Sequence, residues 1–136
     1  MKNIFKLFSI LLLLVLSCKT YAQLDTLSYI KQFEINKSQY INKPFSYLLT
    51  QMTQLQPKSH WADSFPQNKK IVKASIFNFC EMDYSFKNAV TLHIIWQDSF
   101  PKSEVKYYQN KNGFYFTNEE KAFYGNKIVK DIMVYK

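Results

Sequence analysis

Between Val90 and Gln97 the side chains alternate: Val90, Leu92, Ile94 and Trp96 interleave with Thr91, His93, Ile95 and Gln97. Successive side chains of a strand point to opposite faces, so a period of two marks a strand with one face in a core. The β-branched and aromatic content suits a pleated surface, and Asp98-Ser99-Phe100-Pro101 ends the run with turn chemistry. Such a strand needs neighbours to pair its backbone and a layer to cover its apolar face. The remainder of the chain has to supply both.

Ile71–Cys80 is the first expected neighbour. Val72, Ala74 and Ile76 share one parity while Phe77 and Phe79 share the other, which calls for a bulge near Ile76-Phe77 or cover on both faces. Glu81–Asn88 is of hairpin length, so these two strands should run antiparallel. Ile128–Tyr135 reads as a further strand, with Ile128, Ile132 and Val134 on one parity. Phe114-Tyr115-Phe116 reads as a brief one.

The covering layer is expected from helices. Leu24, Leu27, Tyr29, Ile30 and Phe33 recur at three- and four-residue steps, with Asp25 or Thr26 as cap. Pro44 suits a first helical turn before the stripe Phe45, Leu48, Leu49 and Met52, and Pro57 stops that helix. Gln56–Lys70 reads as a loop. Lys102–Asn110 and Asn118–Gly125 read as short inserted helices. The expected fold is α+β: two N-terminal helices packed on a three- to four-stranded, mainly antiparallel sheet with short inserted helices.

Met1–Ala22 has the grammar of a signal peptide. Lys2 and Lys6 precede an apolar run from Leu7 to Leu16, and Thr20-Tyr21-Ala22 offers small residues at a cleavage site. The run is too short to span a bilayer easily. Residues 23–136 are then expected to form a single small domain, exported to the periplasm or secreted. Val15-Leu16-Ser17-Cys18 resembles a bacterial lipobox, which implies the alternative of lipidation at Cys18. Membrane attachment is expected only in that case.

Charge and cysteine usage narrow the chemistry. All 18 basic residues are lysines, against 10 acidic residues, and the leader holds three of the lysines and no acid. Nucleic-acid readers depend on arginine forks, so the absence of arginine and the scatter of lysines along the chain exclude that class. Of the two cysteines only Cys80 lies beyond the leader, so no internal disulfide is expected and the core alone must hold the fold. Cys80 reads as a small buried hydrophobe. No CxxC, HExxH or paired Cys/His spacing occurs, so no metal site is expected. With two glycines in the chain, glycine-dependent phosphate loops are excluded, and no cofactor is expected. No serine sits in a GxSxG elbow.

One pattern recurs. Trp61-Ala62-Asp63-Ser64-Phe65-Pro66 is echoed by Trp96-Gln97-Asp98-Ser99-Phe100-Pro101, and His60 and His93 precede the two indoles. Local turn chemistry accounts for the shared residues, since Asp and Ser bond nearby backbone and Pro holds the preceding Phe extended. A functional version sets His60, Trp61, Asp63, His93, Trp96 and Asp98 around one cleft, where aromatic faces and carboxylates suit a protein, peptide or glycan. His60 is expected in a loop and His93 on the exposed face of its strand. Exposed pairs at Tyr107-Tyr108 and Phe123-Tyr124 would mark a partner surface. The expectation is a non-catalytic binding module meeting an envelope protein, peptide or glycan. One alternative is a small hydrolase using His60 or His93 with Asp63, Asp98 or Cys80; another is a structural envelope component or lipoprotein.

Overall fold

The computed structural model describes residues 24–136; the expected leader, its expected cleavage after Ala22 and the alternative lipidation at Cys18 fall outside the described residues. In chain order these residues form helices α1 (Thr26–Ile35) and α2 (Phe45–Gln51), strands β1 (Ser59–Phe65), β2 (Asn68–Asn78) and β3 (Thr91–Pro101), helices α3 (Lys102–Asn112) and α4 (Asn118–Gly125), and strand β4 (Val129–Tyr135). The fold is α+β, with an antiparallel meander in the order β1-β2-β3-β4.

Two helices begin at a side chain that accepts a free backbone N–H, and two begin at a proline, which leaves one donor fewer to satisfy. The Asp25 carboxylate accepts the Leu27 N–H at 3.1 Å, and Pro44 stands at the N-cap of α2. Thr117 and Glu120 form a capping box at α4. Gly113 closes α3 at φ 59°, a left-handed turn that an L side chain adopts with strain. Helices of 7 to 11 residues do not persist alone in water, so their stability lies in what they bury.

They bury one face of the sheet. Phe77 of β2, Leu92, Ile94 and Trp96 of β3, and Ile132 of β4 are almost fully inaccessible, as are Ile30 of α1 and Phe45 and Leu48 of α2. Phe45 stacks on Phe77 at 4.9 Å and meets Trp96 edge-on at 5.4 Å; Tyr124 of α4 stacks on Trp96 at 5.6 Å. Each such side chain stabilises the fold by roughly 1.5–3 kcal/mol relative to exposure, so this aromatic seam outweighs any single cap.

Four expectations are corrected. Gln56–Lys70 is not a loop: it holds all of β1 and the start of β2, joined by a two-residue turn at Pro66-Gln67 with Phe65 opposite Asn68. Ser-His-Trp-Ala-Asp-Ser-Phe has no β-branched residue, so pairing to β2 rather than intrinsic preference makes it a strand. The bulge in β2 is at Lys73, opposite Asp63/Ser64 of β1, not at Ile76-Phe77, so that Val72 and Phe77 both face the core. A second irregularity lies opposite Ile95/Trp96 in β4 and turns Val129 inward with Ile132 and Val134, instead of Ile128. Phe114–Phe116 is no strand: it makes one bridge, Tyr115 to Ser59, along β1.

The outer edge of β4 is closed by side chains. The Glu34 carboxylate accepts the Val134 N–H at 3.0 Å, Lys31 donates to the Val134 carbonyl at 2.8 Å, and Asp131 accepts the Ile132 N–H at 2.8 Å. Lys31 and Glu34 also pair with each other. Charged groups on an edge strand prevent a further chain from pairing there.

Candidate functional site

The helices and the buried aromatic seam lie on one side of the sheet; the second face carries no helix and is covered only in part, with Ser59, Asn78 and Thr91 buried at one end and the His93 side chain 13% exposed. Register places three rungs across it. Ser59, Asn78, Thr91 and Tyr135 form one; Trp61, Ile76, His93 and Met133 the next; Asp63, Ala74, Ile95 and Asp131 the third. His93 is at the centre of this grid.

Asp63 on β1 and His93 on β3 are separated by the whole width of β2. They meet because Ala74, between them, is a methyl group: His93 Nε2 lies 3.0 Å from Asp63 Oδ2 across it. The carboxylate is not aligned with the ring N–H direction, so the contact is electrostatic rather than a formed hydrogen bond. The Tyr135 ring approaches His93 edge-on at 6.3 Å. Burial raises the Tyr135 phenol above its ordinary pKa, and the nearby Asp63 charge adds to the shift. Asp63, Phe65, Lys73, Ala74, His93 and Ile95 line a shallow depression, with the Lys73 ammonium 5.1 Å from the Phe65 ring centre.

Trp61 forms the other wall of the grid. Its indole stacks on Phe114 at 4.4 Å and meets Phe86 edge-on at 5.1 Å. Phe86 is 76% exposed, so the indole is backed by aromatic rings on one side and stays partly accessible.

The remaining expected site residues are elsewhere. Trp96 faces the opposite side of the sheet and lies within the core, its Nε1 donating to Ser75 Oγ at 2.9 Å. The two indoles therefore do not wall one cleft. The echoed sequence enters β1 and β3 at different parities relative to the core, and parity decides the face. Asp98 is exposed near the end of β3, away from the grid. Cys80 follows β2, in a separate depression with Tyr84 and Lys87.

His60 is not in a loop. It is on the core side of β1, fully buried, with Nδ1 3.0 Å from the Tyr124 hydroxyl and Nε2 3.8 Å from Glu120 Oε1. Glu120 is itself buried and accepts from Asn112 Nδ2 at 2.7 Å and from the Thr117 N–H at 2.8 Å. Burial pushes the His60 imidazole down to about 4, against the opposing pull of Glu120. Burial would raise Glu120, but the Thr117 and Asn112 hydrogen bonds together hold it below the usual carboxylate value. This network ties β1 to α4 and is closed to a ligand.

Of the expected pairs of histidine and aromatic turns, three members share the helix-free face: Trp61, Asp63 and His93. Tyr135, Ile95, Ile76 and Ala74 join them, and only the register of four strands reveals it. Among the described residues no three histidine, cysteine or acidic side chains converge as a metal site, and no helix is long and apolar enough to cross a membrane. No family model, curated protein or solved structure matches the chain.

Proposed function

We propose that this is a small exported binding module that takes a protein, peptide or glycan of the cell envelope on the helix-free face of its sheet. The observation that carries this reading is the grid around His93. It has an apolar floor of Ile76, Ile95 and Met133, aromatic walls at Trp61 and Tyr135, and one polar pair, Asp63–His93, at its centre. Ligand surfaces commonly combine apolar area with few placed polar groups. A glycan ring would lie on an aromatic wall and hydrogen-bond to Asp63; a peptide would set side chains into the depression beside Ala74. Helices laid on the other face supply the core without using this one.

Trp61→Ala and His93→Gln test the reading. Immobilised protein should capture a partner from the native envelope fraction, and each variant should lose most of that capture. Tyr107→Ala, which alters an exposed ring on α3, should not. Capture undiminished in both grid variants removes the site.

The Asp63–His93 contact also supports a second reading, a small hydrolase in which the Asp63 carboxylate lies beside Nε2 and the opposite ring nitrogen of His93 acts as general base for a water molecule. Neither Cys80 nor Asp98 is beside the pair, so the thiol and the Asp98 carboxylate, which lies within β3 and not in the turn expected at Asp98–Pro101, drop out of that scheme. Turnover on a panel of esters, peptides and glycosides, abolished by His93→Gln, would favour it; no turnover on any class would end it. The lipoprotein alternative rests on Cys18, and the mass of the mature N-terminus distinguishes a diacylated Cys18 from Gln23.

A further inference from the structure

At the end of the sheet away from the start of α1, four lysines that are far apart in the chain come together. Ile71 pairs with Pro101, so the beginning of β2 is beside the end of β3. That pairing sets Lys69 and Lys70 next to Lys102 and Lys106 on the first turns of α3, around one depression floored by Pro101 and Ser103. Asn68 fixes the strand start by accepting the Lys70 N–H at 3.1 Å. Lys102 and Lys106 are one helical turn apart and so point the same way.

These four ammonium groups are not neutralised. Lys31, Lys37, Lys58 and Lys111 each pair with a carboxylate, while among the described residues none of the patch lysines does. Glu104 on the same helix turns into a neighbouring depression with Tyr107, Tyr108 and Phe123. Clustered like charges held by two rigid elements repel one another, and a polyanion relieves the repulsion while gaining attraction at every group.

We infer that this depression binds an acidic polysaccharide, with successive carboxylate or sulfate groups lying along the four ammonium groups. Lysines act as point charges that suit dispersed anions; the planar forks that grip phosphodiesters and bases are missing throughout the chain. A bilayer suits the patch less well. The chain enters α1 at the opposite end, where Thr26 lies with Tyr84, Lys87 and Lys136, so any upstream anchor would hold the four lysines away from the lipid. The proposal uses a different surface from the His93 grid and stands or falls without it.

Affinity electrophoresis of the purified protein through gels containing polygalacturonate, with neutral dextran as blank, tests it. Retardation should appear at low salt, fade as salt rises, and fall about tenfold in apparent affinity in Lys69→Gln/Lys70→Gln/Lys106→Gln. Lys87→Gln/Lys136→Gln removes charge at the far end and should change affinity less than about twofold. All five are surface lysines, and circular dichroism verifies that the variants fold. Absence of retardation, equal weakening in both variants, or binding to phosphatidylglycerol vesicles or a single-stranded oligonucleotide at least as tight as to polygalacturonate would overturn the inference.

Discussion

Trp61 and Trp96 are the same residue in the same local sequence, and they do opposite things. Trp96 fills the centre of the aromatic seam between Phe45, Phe77 and Tyr124, and its N–H is satisfied by Ser75. Trp96→Ala leaves a large cavity lined by rings that cannot collapse, and should cost about 3–5 kcal/mol in urea denaturation. Trp61→Ala removes a partly exposed ring from a surface stack and should cost less than about half of that. Comparable losses would contradict the placement of the indoles on opposite faces. Neither role is visible in the hexapeptide, because the nearest neighbours of each indole come from other segments of the chain.

The elements differ in how much of their stability is local. At α4 the capping box lies within four residues, so Thr117→Ala should cost about 1 kcal/mol, measured as a lowered midpoint of chemical unfolding. That helix is legible because Thr-Asn-Glu-Glu contains both partners of the cap. The Asp25 cap of α1 and the Pro44 start of α2 are legible for the same reason. Strand β1 is the opposite case. It has no β-branched residue, and its form comes from the ladder with β2 and from Phe114, whose carbonyl accepts the His60 N–H from beyond α3. The two irregularities in β2 and β4 are equally non-local, since a bulge is set by which neighbours a strand must face.

Over the whole molecule, the buried His60–Glu120–Tyr124 network makes the fold sensitive to acid. His60 is neutral when folded and titrates near its ordinary value when unfolded, so between pH 6.5 and about 4 the unfolded chain binds the extra proton. Stability is therefore full above pH 6.5 and is lost as pH falls towards 4, by about 3 kcal/mol from this group alone. The lowered Glu120 carboxyl acts in the same direction at more acidic pH. Urea midpoints measured from pH 7 to 4 should decline, and a His60→Phe variant should show a shallower decline whatever its stability at neutral pH. A flat profile in the native protein would mean that His60 is not held neutral.

Alternation within 90–97, helical stripes after Asp25 and Pro44, and a single cysteine after residue 23 determined an α+β chain held by apolar burial, because each of these signals operates over a few residues. Tertiary structure alone decided which side each element faces. It put His60 and Trp96 inside, brought Asp63 to His93 over the methyl of Ala74, and gathered Lys69 and Lys70 with Lys102 and Lys106. The physical reason is that side-chain facing depends on strand parity, and parity depends on register and bulges fixed by pairing between distant segments.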